Sequence, residues 1–181
     1  LKNFLDTHHQ IPMLIGADTY ELFDEKQSAA CAPYGNQFIE NYNTAVLIQS
    51  KVPLETYHKA KLVLGGEKIP FIANLPALQK YSIEFGGTSG MLGVGTEPKV
   101  FEAKGIFYAP LICYESVYGD YVAMFVRKGA TVLTVITNDG WWGDTPGYHQ
   151  HRMFSQIRAI ENRRSVARSA NTGISCFIDQ R

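Results

Sequence analysis

The sequence predicts an α/β domain whose sheets are covered by helices, and three observations carry that reading. Segments with the two-residue period of strands alternate with segments of helical period. Val132-Leu133-Thr134-Val135-Ile136-Thr137 is a nearly unbroken β-branched run, which suits a strand covered on both faces. No internal repeat, low-complexity tract or linker interrupts the 181 residues, so one α/β domain over residues 1–181 is expected.

In chain order, residues 12–17 and 44–49 read as short buried strands, with the polar stretch 20–43 between them. Residues 54–63 read as a further strand, bent by Gly65-Gly66. Residues 86–98, rich in Gly, Ser and Thr, read as a long loop. Residues 106–113 form a strong strand pattern. Residues 118–128 have helical period, with Val122, Phe125 and Val126 on one face and Gly129 as the stop. After the 132–137 strand, residues 149–164 make the longest helix, with Met153, Ile157 and Ile160 as its apolar stripe. Residues 166–170 and 174–178 close the chain as a hairpin around Asn171-Thr172-Gly173.

Charge narrows the function classes. The formal net charge is zero and the pI about 7.1, so no basic excess exists to release counterions from a nucleic acid, and no nucleic-acid partner is expected. The cysteines are Cys31, Cys113 and Cys176, an odd number without a CxxC pair; neither a thiolate metal site nor a disulfide framework follows, although one Cys31–Cys176 bridge stays open. His149 and His151 are two apart, the wrong spacing for ligands on one helical face, so no metal is expected. No apolar run approaches the roughly 18–20 residues that span a bilayer. Residues 1–10 are polar and do not begin with methionine, so the chain reads as a piece of a longer protein.

Cys113 is the candidate nucleophile. A lone cysteine on a strand is ordinarily a small hydrophobe. Here Tyr114, Glu115 and Ser116 follow at once, so the thiol falls at the strand's end, where α/β folds place chemistry. Lys59 and Glu67, taken singly, are surface charges; together with Cys113 they are the parts of a thioester-forming enzyme. Asn138-Asp139-Gly140 follows a buried strand and would ordinarily be a turn, yet Trp141-Trp142 come next, and exposed large aromatics mark binding surfaces. Arg158 and Glu161 read as a structural i,i+3 ion pair.

These segments together resemble the carbon–nitrogen hydrolase (nitrilase) superfamily, and more closely its bacterial apolipoprotein N-acyltransferase branch. Tyr57-His58-Lys59-Ala60-Lys61-Leu62-Val63 with Glu67 resembles the branch's lysine motif, and Ile112-Cys113-Tyr114-Glu115 its nucleophile motif. Residues 138–144 are similar to N-D-x-W-[FW]-G-D, and residues 150–164 and 168–173 to its C-terminal motifs. The resemblance implies an αββα sandwich with a Glu-Lys-Cys triad. Cys113 would take an acyl chain from a phospholipid as a thioester and pass it to the α-amine of a diacylglyceryl-modified apolipoprotein, without a cofactor. Lys59 would stabilise the oxyanion and Glu67 would position Lys59, while Tyr114, Glu115, Asn138 and Trp141 would line the pocket. It implies a bacterial inner-membrane protein with this domain on the periplasmic side. Two departures stand out. Leu64-Gly65 replaces the family's Pro-Phe. The family's general-base glutamate, first strand and first helix belong to a segment ahead of Leu1, so the isolated chain is expected to be inactive. The apolar residues of 75–92 (Leu75, Leu78, Tyr81, Ile83, Phe85, Met91, Leu92), with Trp141-Trp142, read equally as an acyl channel, a bilayer-dipping surface or a folded-down core loop. The rival readings are a soluble amidase or carbamoylase of the same superfamily, and a non-catalytic fragment.

Overall fold

In the computed structural model, which describes residues 7, 11–68 and 91–181, strand pairing separates two sheets. The first is built from Met13–Phe23 (β1), Ala32–Tyr34 (β2), Gln37–Ile48 (β3) and Glu55–His58 (β4), all antiparallel around β3. The second runs β5-β6-β7-β8-β9, from Phe101–Ala103 (β5), Ile106–Ile112 (β6), Val132–Thr137 (β7), Ser165–Ala170 (β8) and Cys176–Ile178 (β9). Its centre, β6-β7-β8, is parallel, and its two edges are antiparallel. Parallel neighbours need crossovers. Gly119–Arg127 (α1) and Gly147–Asn162 (α2) supply them.

The sheets meet in one core. Ala45, Leu47 and Tyr57 of the first sheet pack with Leu111, Leu133 and Val135 of the second, and Tyr121, Val122 and Phe125 of α1 close the same cluster. A Cβ on Gly16 of β1 would lie 2.8 Å from Ile136 Cγ2 of β7, so the two sheets approach there as closely as glycine allows. Among the described residues this is an α/β architecture of two facing sheets with helices packed on the second, as the sequence predicts.

Several elements fall where their patterns put them. β6, β7, β8 and the β8–β9 pairing match the expected strands and closing hairpin to within two residues. α1 stops as expected: Gly129, at φ +99, and Ala130 donate to the carbonyls of Val126 and Phe125, the Schellman arrangement. Arg158 bonds Glu161 at 3.0 Å, the structural pair expected.

Other elements differ. The stretch 20–43 contains the far half of the β1–β3 hairpin, paired in register from Met13↔Ile48 to Phe23↔Phe38, together with β2. That half is mostly exposed on β1, so it lacks the apolar alternation that marks a half-buried strand. Strand structure in 54–63 ends at His58 because β4 pairs only with residues 44–47 of β3. On α2 the expected stripe faces outward: Met153, Ile157 and Ile160 are exposed, and the buried face is Gly147, His151, Ser155, Arg158 and Ala159. The helix packs through hydrogen-bonding groups, so its apolar period does not point at the core. The three cysteines are free thiols, and no Cys31–Cys176 bridge forms. The apolar segment 75–92 lies outside the described residues except for Met91 and Leu92, of which Leu92 is buried.

Candidate active site

Lys59 follows β4 directly, and its backbone is tied on both sides. Its N–H donates to the Asn43 carbonyl at 2.8 Å, and Gly95 donates to the Lys59 carbonyl at 2.9 Å. A Cβ on Gly95 would come within 2.0 Å of the His58 carbonyl oxygen, so only glycine admits this crossing. The Lys59 side chain is fully buried, and its ammonium donates to both Glu67 oxygens at 2.7 Å. An isolated buried ammonium would be costly, and a bidentate carboxylate offsets that cost. Glu67 is held in turn by Asn43 Nδ2 at 2.7 Å and by the Val63 N–H at 2.8 Å. An ammonium has three donors, so one remains for the cavity that Lys59 lines.

Cys113 begins a short 3-10 turn, Cys113–Val117, at the end of β6. Its φ is +51, a region that non-glycine residues rarely occupy and that is held only where the surroundings impose it. The Cys113 carbonyl accepts from Ser116 Oγ at 2.9 Å and lies 3.2 Å from His151 Nε2. Behind it is a buried polar group that joins the ends of β7 and β8 to α2. Asp139 takes His151 Nδ1 on one oxygen at 2.8 Å and Arg168 on the other at 2.6 Å. Burial alone would raise the Asp139 carboxyl, but the His151 hydrogen bond and the Arg168 charge outweigh it and hold it below the usual carboxylate range.

Lys59 and Cys113 line one cavity of about 560 Å³ with Glu67, Asn43, Asn138 and Trp141. Its apolar wall comes from Leu14 and Ile15 of β1, Val63, Ile112 and Ile136. Trp141 stacks on Trp142 with centroids 3.9 Å apart. Asp18 of β1 also lines the cavity as an exposed carboxylate.

Of the residues expected to act together, Cys113, Lys59, Glu67, Asn138 and Trp141 meet at this cavity, whereas Tyr114 and Glu115 do not line it. Tyr114 turns to the other side, its ring edge-on to Tyr118 and 6.4 Å from that of His151. Glu115 is fully buried because its oxygens are taken up by the scaffold. One accepts from Tyr57 Oη at 2.7 Å and from the N–H groups of Ala60 and Lys61 at 2.8 and 3.2 Å. The other accepts from the Ile112 N–H at 2.8 Å. Burial pushes the Glu115 carboxyl up, against the pull of these donors. Burial and the neighbouring carboxylate also push Tyr57 far above its ordinary value, and burial takes Tyr121 to about 12. Glu115 thus ties the residue after Lys59 to the residue before Cys113.

Sequence reasoning missed Asn43, which orients Glu67, and the Asp139–His151–Arg168 group. Asn43 falls at the end of the polar stretch 20–43, which carries no strand pattern. The spacings of 12 and 17 residues that link His151 to Asp139 and Arg168 carry no local signal. Among the described residues no cluster of ligating side chains suited to a metal is present.

The chain is 36% identical over 176 residues to an apolipoprotein N-acyltransferase of Chlorobaculum tepidum, covering 93% of this chain and 33% of that protein. To the Treponema denticola apolipoprotein N-acyltransferase 1 it is 31% identical over 185 residues, covering 99% of this chain and 33% of that one. The chain thus spans about a third of the length of these relatives. Among solved structures, a mutant of the Nesterenkonia sp. AN1 amidase, with acrylamide added at its active-site cysteine, superposes with a TM-score of 0.57 at 16% identity, over 94% of this chain and 52% of that one. Saccharomyces cerevisiae Nit3, of the nitrilase superfamily, superposes with a TM-score of 0.54 at 17% identity, over 78% and 47%. At such identities these two speak for the fold alone. The carbon–nitrogen hydrolase family model matches residues 8–181, and the chain belongs to that family.

Proposed function

We propose that this chain is the catalytic portion of an N-acyltransferase that moves an acyl chain from a phospholipid, through a Cys113 thioester, to the α-amine of a diacylglyceryl-modified apolipoprotein. The observation that carries the reading is a thiol and a buried Lys59–Glu67 pair lining one cavity with an apolar wall. In the first half-reaction the Cys113 sulfur attacks the ester carbonyl. The C–S bond forms, the thiol proton passes to a carboxylate base, and the oxyanion faces the remaining Lys59 hydrogen. The C–O bond then breaks, and the lysophospholipid leaves with the proton. In the second half-reaction the acceptor amine attacks the thioester, C–N forms as C–S breaks, and the amine proton returns to sulfur by way of the base. The apolar wall and Trp141 favour transfer over hydrolysis by keeping water from the thioester.

Glu67 is a poor choice of base, since Lys59, Asn43 and Val63 occupy its oxygens. On this reading the base is the family's glutamate, in a segment ahead of Leu1, and the 181-residue chain alone does not acylate. Among the described residues no helix is long and apolar enough to cross a membrane, and anchoring at the periplasmic face of the bacterial inner membrane is proposed for the remainder of the protein.

The test is mass spectrometry of the full-length protein and of the isolated chain after incubation with phospholipid vesicles. An acyl mass on Cys113 in the first, absent in the second and absent after Cys113→Ala, is expected. Turnover of small amides without an acyl adduct would replace this reading with the amidase one. A stoichiometric adduct on the isolated chain would move the base to Asp18, the cavity-lining carboxylate without a partner among the described residues.

A further inference from the structure

We propose that His151 is a positioning residue that clamps the strained backbone of the nucleophile through the Cys113 carbonyl. The inference rests on the reading of Cys113 as nucleophile. His151 is buried, as are Asp139 and Arg168, the groups on its far side. Its Nδ1 faces Asp139 and Arg168, and its Nε2 faces Cys113 and Ser116. Nδ1 faces Asp139 Oδ1 at 2.8 Å. Nε2 faces the Cys113 carbonyl at 3.2 Å and Ser116 Oγ at 3.3 Å. The Ser116 hydroxyl donates to the same Cys113 carbonyl, so it offers Nε2 a lone pair rather than a hydrogen. A hydrogen on Nε2 satisfies the contact with the Cys113 carbonyl. The ring then bridges from the Asp139–Arg168 pair to the Cys113 peptide.

The far end of that bridge is rigid. Asp139 Oδ1 also accepts from Thr137 Oγ1 at 3.0 Å, and its backbone N–H donates to the Thr172 carbonyl at 3.0 Å. Arg168, which holds Oδ2, is fixed in turn by the Ile174 carbonyl and Ser155 Oγ. The near end is the one non-glycine residue of the cavity lining with a positive φ. A left-handed backbone at a cysteine relaxes unless something imposes it. Here two donors converge on its carbonyl, and one of them is anchored to the ends of β7 and β8.

The test reads Cys113 directly, in the full-length protein. Iodoacetamide alkylation of Cys113, located by peptide mass spectrometry, needs no substrate. Thioester formation from phospholipid vesicles is followed in parallel, with its dependence on phospholipid concentration. His151→Ala is expected to slow both by about tenfold, with the phospholipid concentration for half-maximal rate unchanged. His151→Gln, whose amide still donates to the carbonyl, is expected to recover most of the loss. Unchanged rates in a folded His151→Ala protein would overturn the inference. Where the alanine variant melts too low to assay, the glutamine variant decides, and a full tenfold loss in a folded His151→Gln protein overturns it as well. Alkylation that responds to His151 in a protein forming no acyl thioester would sink the acyltransferase reading and leave the clamp standing. Thioester formation indifferent to His151 would do the reverse.

Discussion

Lys59 is held by an antiparallel sheet and the loop that follows it, with its carboxylate partner eight residues further along the chain. Cys113 is held by parallel strands and a helix, and the groups that fix it come from positions 116, 139, 151 and 168. The lysine side is mostly local: a bidentate ion pair and a backbone N–H within residues 59–67, with one amide from Asn43. The cysteine side depends on three strand ends arriving together. Local construction leaves a trace in the sequence, and assembled construction does not. The difference also predicts how each side fails. Damage on the lysine side should cost chemistry, whereas damage behind the cysteine should cost the fold first.

The largest effect is expected at Asp139, the hub of the cysteine side. Asp139→Ala strands Arg168 as a buried cation, and breaking such a pair destabilises by about 3–5 kcal/mol. Denaturant unfolding of the variant measures it. The pH dependence gives a second reading. The folded-state carboxyl lies below its ordinary 3.8, so its contribution is complete above that value and is lost as pH falls through the lower folded one. The variant should therefore lack part of the acid-induced loss of stability seen in the parent. A variant as stable as the parent across that range would mean the hub holds nothing.

On the lysine side the expected change is kinetic. Lys59→Arg should cut thioester formation by about 10²- to 10³-fold, since a planar guanidinium cannot take the place of an ammonium seated between two oxygens. The far-UV circular dichroism and melting temperature report whether the fold is retained. If Lys59→Arg unfolds the protein as Asp139→Ala does, the contrast between the two sides is wrong.

The smallest effect is expected on the outer face of α2. Ile160→Ser replaces an exposed side chain and should shift stability by no more than about 0.5 kcal/mol. A larger loss in the purified full-length protein would show that this face is covered there.

The sequence made β7 and α1 legible because a mostly buried β-branched run and a helix ending at Gly129 are strong local signals. The distal half of the β1–β3 hairpin was illegible because its β1 face is bare, so its pairing with β3, and not burial, makes it a strand. α2 misled in the opposite direction: its apolar residues point outward and His151, Ser155 and Arg158 point inward, which inverts the usual pattern. At the site, Cys113 and Lys59 were readable from strand-end position and motif. The burial of Glu115 was not, because a carboxylate flanked by a tyrosine and a serine looks like a pocket residue until its four donors are seen.

Those four donors have a consequence for how accurately the two reacting groups are spaced. Across two sheets, the separation of Lys59 from Cys113 would ordinarily accumulate the slack of every strand and side chain between them, as tolerances add in a long assembly of parts. Glu115 replaces that long path with a short one, from Ala60 through a single carboxylate to Ile112. A gauge block of this kind lines no part of the cavity, yet it sets the spacing of Lys59 and Cys113 across it.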